Sequence, residues 1–115
     1  MVREIIEHLF YYCRHSKNIW VQLENWFKTV DFNISFDIKT VIFGCETGKY
    51  APINLMILAV KNYIFQQSRK DSELSFSELK KILIYQYTVE KNIYSLKAQN
   101  ETFEKLWSPF KALFE

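Results

Sequence analysis

The amino-acid sequence predicts a mainly α-helical protein, a small irregular bundle of about four to five helices. Two observations lead to this prediction. Apolar residues recur at three- and four-residue steps in most of the long segments, which is the spacing of a buried helical stripe. Glycine and proline number only two each, too few for the many tight turns of a β-sandwich or barrel. Because the chain has 115 residues, we expect one helical domain spanning 1–115.

The first predicted helix follows a short apolar opening. Ser16 is a residue type that often caps a helix N-terminus, so we expect the helix to begin there. The opening and the helix carry these apolar residues: Ile5, Ile6, Leu9, Phe10, Ile19, Trp20, Leu23, Phe27 and Val30.

Residues 31–51 are expected to form a connector, since their periodicity is weaker. Ile34, Phe36 and Ile38 alternate as in a β-strand, which allows a short extended segment within 32–43. Asp37 can instead cap a short helix that ends at Gly44. The spacing fits both structures, and we prefer the short helix.

A helical tail is predicted for residues 52–115, beginning with a central helix. Pro52 suits the first turn of a helix. Residues 53–68 are apolar around most of the helix circumference, which predicts contacts on several sides. A polar loop is expected from Gln66 to Ser72.

The second long helix of the tail is predicted from a capping box. Ser75 and Glu78 have the spacing at which each side chain accepts a hydrogen bond from a free backbone N–H of the first helical turn. We expect this helix to run for about five turns until Asn100 ends it and caps the next segment. Three tyrosines are expected on its flanks with their hydroxyl groups in water: Tyr85, Tyr87 and Tyr94.

Ser108 and Pro109 interrupt the last segment and restart a turn that holds Phe110, Leu113 and Phe114. The apolar stripes of the four best helices together predict the hydrophobic core. Its expected members are Trp20, Leu23, Phe27, Ile57, Val60, Ile64, Leu79, Ile82, Leu83, Ile93 and Trp107.

Several classes of function are disfavoured by the sequence. Polymerases and nucleases hold catalytic metals between clustered carboxylates, and no such acidic motif is present. A glycine-rich phosphate loop and a nucleophile elbow are also missing, so neither an enzyme nor a small-molecule substrate is expected. The longest apolar run is far shorter than a membrane span, and the two cysteines are too few for a disulfide-built domain. We therefore expect an intracellular protein without a membrane partner, in the nucleus or the cytoplasm.

His8 and Cys13 are the candidate metal ligands. They are five positions apart, a separation that lets an imidazole and a thiolate reach one tetrahedral zinc ion. A structural zinc site needs four ligands, so this pair is half of a site. His15 and Cys45 could complete the set within the chain, and a partly buried histidine beside an inert cysteine is the alternative interpretation.

The segment around this pair resembles a known family. Residues 7–13 read EHLFYYC, and Ser16 and Trp20 follow at fixed distances. This pattern resembles the E-H-L-F-x-x-C-x-x-S-x-x-x-W half of the zinc-binding domain of LINE-type retrotransposon reverse transcriptases. Residues 42–44, 53–64 and 105–110 look like the tail that follows the motif in these elements, so the resemblance covers nearly the whole chain.

The resemblance implies that His8 and Cys13 match the last two zinc ligands and that Trp20 packs behind them. The family's Cys-x-x-Cys pair would lie before Met1, so residues 1–30 correspond to a remnant of the zinc-binding segment and the helix after it. We therefore expect a non-catalytic C-terminal fragment of a reverse transcriptase polyprotein. Its partners would be the upstream polymerase portion and nucleic acid, as an accessory module in target-primed reverse transcription. No cofactor is expected in the isolated chain, and zinc is expected only with upstream ligands.

The nucleic-acid interpretation also depends on basic residues in the tail. The candidates for phosphate contact are Lys61, Arg69, Lys70, Lys80 and Lys81. Because the net charge is only +2, we expect weak and salt-sensitive binding to RNA or DNA. The alternative function is a helical protein-interaction or dimerisation domain without nucleic-acid binding, which the 17% aromatic content suggests. The first function requires a positive surface, and the second requires an exposed apolar one.

Overall fold

The computed structural model describes residues 6–45 and 51–115, and within these ranges it has six α-helices and no β-strand. In chain order the elements are a π-helical turn His8–Tyr12, α1 Arg14–Lys28, α2 Ile38–Phe43, α3 Ala51–Arg69, α4 Phe76–Leu96, α5 Asn100–Trp107, a 3₁₀ turn Ser108–Phe110 and α6 Lys111–Phe114. The mainly α prediction is confirmed. The helices outnumber the predicted four to five because the 3₁₀ turn at Pro109 divides the C-terminal segment. Ile5 and residues 46–50 of the predicted connector lie outside the described residues.

Helix α3 is central to the core, as predicted. Its buried residues are spread around the helix: Pro52, Ile53, Met56, Ile57, Val60, Tyr63 and Ile64. The helix contacts the π-helical turn, α4 and α5. Helix α1 adds the buried side chains of Ile19, Trp20, Leu23 and Phe27, and Phe36 and Val41 join the same cluster. The predicted core positions on α1 and α3 are all confirmed.

Helix α4 buries a different face from the predicted one. Leu79, Leu83 and Tyr87 form its buried stripe at four-residue steps. Ile82 and Ile93 are each 38% exposed, so their assignment to the core was wrong. Tyr87 was expected to reach water but is only 3% exposed, and its hydroxyl donates a hydrogen bond to the Glu115 carboxylate. The helix is apolar on two faces, and the contacts with α3 and α5 decide which face is covered.

Several helix ends follow the local sequence, and three do not. One of the three is the end of α3, which continues to Arg69 through part of the loop expected from Gln66 to Ser72. Asp37 caps α2 by accepting a hydrogen bond from the Thr40 amide, and the helix ends at Gly44 with φ of 78°. The prediction for Ser16 was wrong, since α1 begins at Arg14 and Ser16 lies buried inside the helix. Helix α4 ends at Leu96 rather than at Asn100, and Asn100 does not cap the next helix but is its first residue. Ala98 adopts a positive φ of 56°, and the Gln99 amide donates back to the Tyr94 carbonyl, which closes the helix before Asn100.

The predicted short extended segment is absent from 32–43, because residues 38–43 are helical and residues 32–37 have no regular structure. No helix in the described ranges is long and apolar enough to cross a membrane.

Candidate functional site

The two predicted metal ligands lie at the ends of one backbone turn. The Cys13 amide donates to the His8 carbonyl at 2.7 Å, which closes the π-helical turn. His8 is exposed, and Cys13 is half-buried. The backbone therefore holds these residues near one another at the surface, as a shared metal ion would require.

Two side chains of α1 fasten this turn to the core. The Ser16 hydroxyl donates to the Leu9 carbonyl, and the Trp20 indole N–H donates to the Phe10 carbonyl at 2.6 Å. Trp20 is 1% exposed, and its ring packs against Phe36 with centroids 5.2 Å apart. Ser16 and Trp20 are one helical turn apart, so both point from α1 toward the same loop. These two donors satisfy the Leu9 and Phe10 carbonyls of the π-helical turn.

Sequence reasoning assigned Ser16 to a cap and Trp20 to packing, and it missed both hydrogen bonds. A signal was available, because a buried serine or indole usually needs a partner and the four-residue spacing puts both on one face. Hydrogen bonds thus connect α1, through Ser16 and Trp20, to the turn that runs from His8 to Cys13.

The internal completion of a zinc site is not seen among the described residues. No three histidine, cysteine or acidic side chains in 6–45 and 51–115 are grouped to hold a metal ion. Cys13 and His15 both line a cavity of about 390 Å³ between α1 and the α3–α4 loop. Cys45 lines a different cavity, and its backbone amide and carbonyl both bond to the Asn54 side chain, at 2.6 and 2.8 Å. Burial raises the pKa of the Cys45 thiol, which disfavours the thiolate that binds zinc.

Two of the five predicted phosphate contacts are engaged inside the protein. Lys61 is half-buried and donates to the Ile42 carbonyl at 3.2 Å, near the end of α2, and burial lowers the pKa of its ammonium group. Lys80 is also half-buried, and its ammonium lies 5.4 Å from the Trp26 ring centre and 5.3 Å from that of Phe76. The hydrogen bond engages the Lys61 ammonium and the two aromatic rings hold the Lys80 ammonium, so neither lysine is free to follow a nucleic-acid backbone.

The other three candidates lie at one end of the α3–α4 pair. Lys70 and Lys81 are exposed and line the same groove, which has a volume of about 440 Å³. Arg69 is exposed at the end of α3, and its guanidinium lies 5.8 Å from the ring centre of Phe65. We call this surface the α3–α4 groove; its other polar lining residues are Asn62, Tyr63, Gln66, Gln67 and Glu78.

Tyr63 fixes the acidic residue of the groove. Its side chain is 6% exposed, and its hydroxyl accepts from the Ser75 amide at 2.8 Å and donates to the Glu78 carboxylate at 2.9 Å. Burial is the main cause that raises the pKa of Tyr63. Ser75 accepts from the Glu78 amide at 3.4 Å, as the capping box predicts. The tyrosine hydroxyl, however, stands between the Glu78 carboxylate and the Ser75 amide, and no local sequence signal predicts this.

A second apolar row on α4 lies outside the buried face of the helix and is only partly exposed. Ile82, Tyr85, Val89, Ile93 and Leu96 recur at three- and four-residue steps, and we call them the α4 stripe. Tyr85 is 71% exposed and Leu96 is 88% exposed, while Val89 is half-buried. The stripe is rotated by about 120° from the buried face of the helix, at 100° per residue.

The chain matches no protein-family model, no curated protein and no solved structure in the comparisons made with each.

Proposed function

We propose that this chain is a non-catalytic accessory module of a LINE-type reverse transcriptase polyprotein, and that it contacts nucleic-acid phosphates through the α3–α4 groove. The observation that carries this proposal is the meeting of Lys70 and Lys81, from separate helices, in one groove. Arg69 adds a third cation at the same end of α3. Ammonium and guanidinium groups are the usual protein partners of phosphate oxygens.

Two cations and one acid line the groove, together with neutral donors that can bind phosphate. Glu78 is the acid that lines it, and its carboxylate accepts a hydrogen bond from Tyr63. This bond joins the Glu78 carboxylate of α4 to Tyr63 of α3, so the acid is already engaged by a donor within the protein. The amides of Asn62 and Gln66 can donate to phosphate or to base edges. The exposed ring of Phe65 beside Arg69 offers a surface on which an unpaired base can stack.

The family assignment is supported by the connected motif in the N-terminal segment. Ser16 and Trp20 hold the carbonyls of the turn that carries His8 and Cys13. Because Ser16 and Trp20 each bond to a carbonyl of this turn, the number of residues between them and the turn is constrained. His8 and Cys13 would supply two zinc ligands, and the other two would come from a Cys-x-x-Cys segment like that of the family. The bound metal would stabilise the fold of this segment.

Fluorescence anisotropy with a short labelled single-stranded RNA tests the proposal. The affinity should be weak at physiological salt and should fall as salt rises. Lys70→Gln/Lys81→Gln should reduce the slope of log affinity against log salt by about 1.4, since each single-strand phosphate contact contributes about 0.7. Lys28→Gln/Lys105→Gln is the matched control, because it removes the same charge from exposed sites outside the groove. Equal losses in the two double variants would show that net charge, rather than the groove, determines binding.

A further inference from the structure

Phe65 presents an aromatic ring at the border of the α3–α4 groove. The residue is 42% exposed, although α3 buries side chains around much of its circumference. At 100° per residue, Phe65 lies about 60° around the helix from Asn62, with Arg69 between them. Asn62 lines the groove, so the ring and the guanidinium of Arg69 stand directly beside it.

The Arg69 guanidinium lies over the face of this ring, 5.8 Å from the ring centre. Carbon surfaces in direct contact are about 3.5–4.0 Å apart, so the two groups are not packed against each other. A flat base between them would need about 7 Å, the width of two such contacts. Arg69 is exposed, so its side chain can move by the remaining distance. The ring and the guanidinium thus form two walls of a slot that a base can enter.

We propose that Phe65 and Arg69 form a base-stacking subsite of the α3–α4 groove, which gives the groove an affinity for single strands that duplexes do not share. This inference rests on the phosphate-binding function proposed above. The rise from Phe65 to Lys70 along α3 is about 7.5 Å, so one strand can place a base on the ring while a neighbouring phosphate reaches the lysine. In a duplex each base is already stacked between its neighbours, so its faces cannot reach the ring.

The surroundings of the ring favour a nucleotide over an apolar protein segment. Lys70 and Lys81 line the adjoining groove, and Arg69 is exposed beside the ring. Charged residues, lysine above all, are depleted from the cores of protein–protein interfaces, so a protein partner seated here would have to cover cations. A strand of nucleic acid carries phosphates next to flat bases, which is the combination that an aromatic ring beside cations can bind.

Fluorescence anisotropy of a short labelled RNA strand, and of the duplex with the same sequence, tests the subsite. Phe65→Leu keeps an apolar side chain at an exposed position but removes the flat ring. Its affinity for the strand should fall at least about fivefold, while its affinity for the duplex should not change. The slope of log affinity against log salt should also be unchanged, because the ring contacts no phosphate. Phe65→Trp keeps a flat ring and should bind the strand as the wild type does.

Two further variants sharpen the test. Arg69→Lys keeps the charge but loses the planar guanidinium, so it should also weaken strand binding without changing duplex binding. Phe43→Leu is the matched control, because Phe43 is 75% exposed on α2 and does not line the groove. A strand that carries 2-aminopurine reports stacking directly, since an aromatic ring quenches its fluorescence. The quenching should appear with the wild type and disappear with Phe65→Leu.

Failure of the subsite is distinguishable from failure of the proposed function. If Phe65→Leu leaves strand affinity unchanged while Lys70→Gln/Lys81→Gln still reduces the salt slope, the groove binds phosphate and the subsite is refuted. If Phe65→Leu weakens strand and duplex equally, the ring supports the shape of the groove and stacks no base, which also refutes it. If the lysine variants leave the slope unchanged, the proposed function fails and the subsite fails with it. Circular dichroism confirms that each variant is folded before it is counted.

Discussion

Removing the Tyr63 hydroxyl tests how α3 holds the first turn of α4. Tyr63→Phe keeps the buried ring, so it opens no cavity, but it deletes the hydroxyl that bonds to Ser75 and Glu78. The Glu78 side chain is exposed and can turn to water. Ser75 is a half-buried residue, and its amide loses the hydroxyl as a hydrogen-bond partner. A buried donor without a partner costs about 1–3 kcal/mol, so this half-buried one should cost about 1–2 kcal/mol.

Urea denaturation followed by circular dichroism measures this loss. With a denaturant slope of about 2 kcal/mol per molar, the midpoint should fall by about 0.5–1 M. Tyr85→Phe is the matched control, because its side chain is 71% exposed and a surface change of this kind costs under about 0.5 kcal/mol. Equal midpoints for the two variants would refute the role given to the Tyr63 hydroxyl.

Glu78 can partly replace the lost hydroxyl. In an ordinary capping box the glutamate accepts directly from the amide of the N-cap residue, here Ser75. If Glu78 moves to do so in Tyr63→Phe, the double variant Tyr63→Phe/Glu78→Ala should lose more stability than the sum of the two single variants. Additive losses would show that the carboxylate does not reach the amide.

Three further predictions concern the core, pH and zinc. Leu83→Ala should cost about 2–5 kcal/mol in a denaturant titration, whereas Ile84→Ala, at a 39% exposed position, should cost much less; similar costs would contradict the observed burial. Burial, followed by a hydrogen bond to a carboxylate, raises the pKa of Tyr87, so the folded chain favours the neutral phenol. Its contribution to stability is complete below about pH 10 and is lost as pH rises toward the folded-state pKa, so the wild type should lose stability above about pH 10 more steeply than Tyr87→Phe. The isolated chain should purify without stoichiometric zinc, and adding a Cys-x-x-Cys segment should create tight binding that His8→Ala or Cys13→Ala abolishes. Elemental analysis that finds one tightly held zinc ion in the unmodified chain would contradict the half-site.

Part of the candidate site could be predicted from the sequence because it depends on neighbours along the chain. The spacing of His8 and Cys13 predicted that their side chains can reach one metal ion, and a backbone hydrogen bond joins the two residues. The cations were harder to predict. The sequence gives five candidates, but it does not say that Lys61 and Lys80 are engaged while Lys70 and Lys81 share a groove. Their surroundings come from residues on other helices, which no local pattern encodes.

The sequence by itself determined the helical class and the helix ends that use local hydrogen bonds. Asp37 and Gly44 bound α2, and Ser75 begins α4, because a cap involves residues within a few positions of one another. Only the tertiary structure decided which apolar face of α4 is covered. Leu83 and Ile82 are adjacent and equally apolar, yet one is 1% exposed and the other 38%. Periodicity reveals that a face is apolar, but burial requires a second surface, and that surface comes from distant parts of the chain.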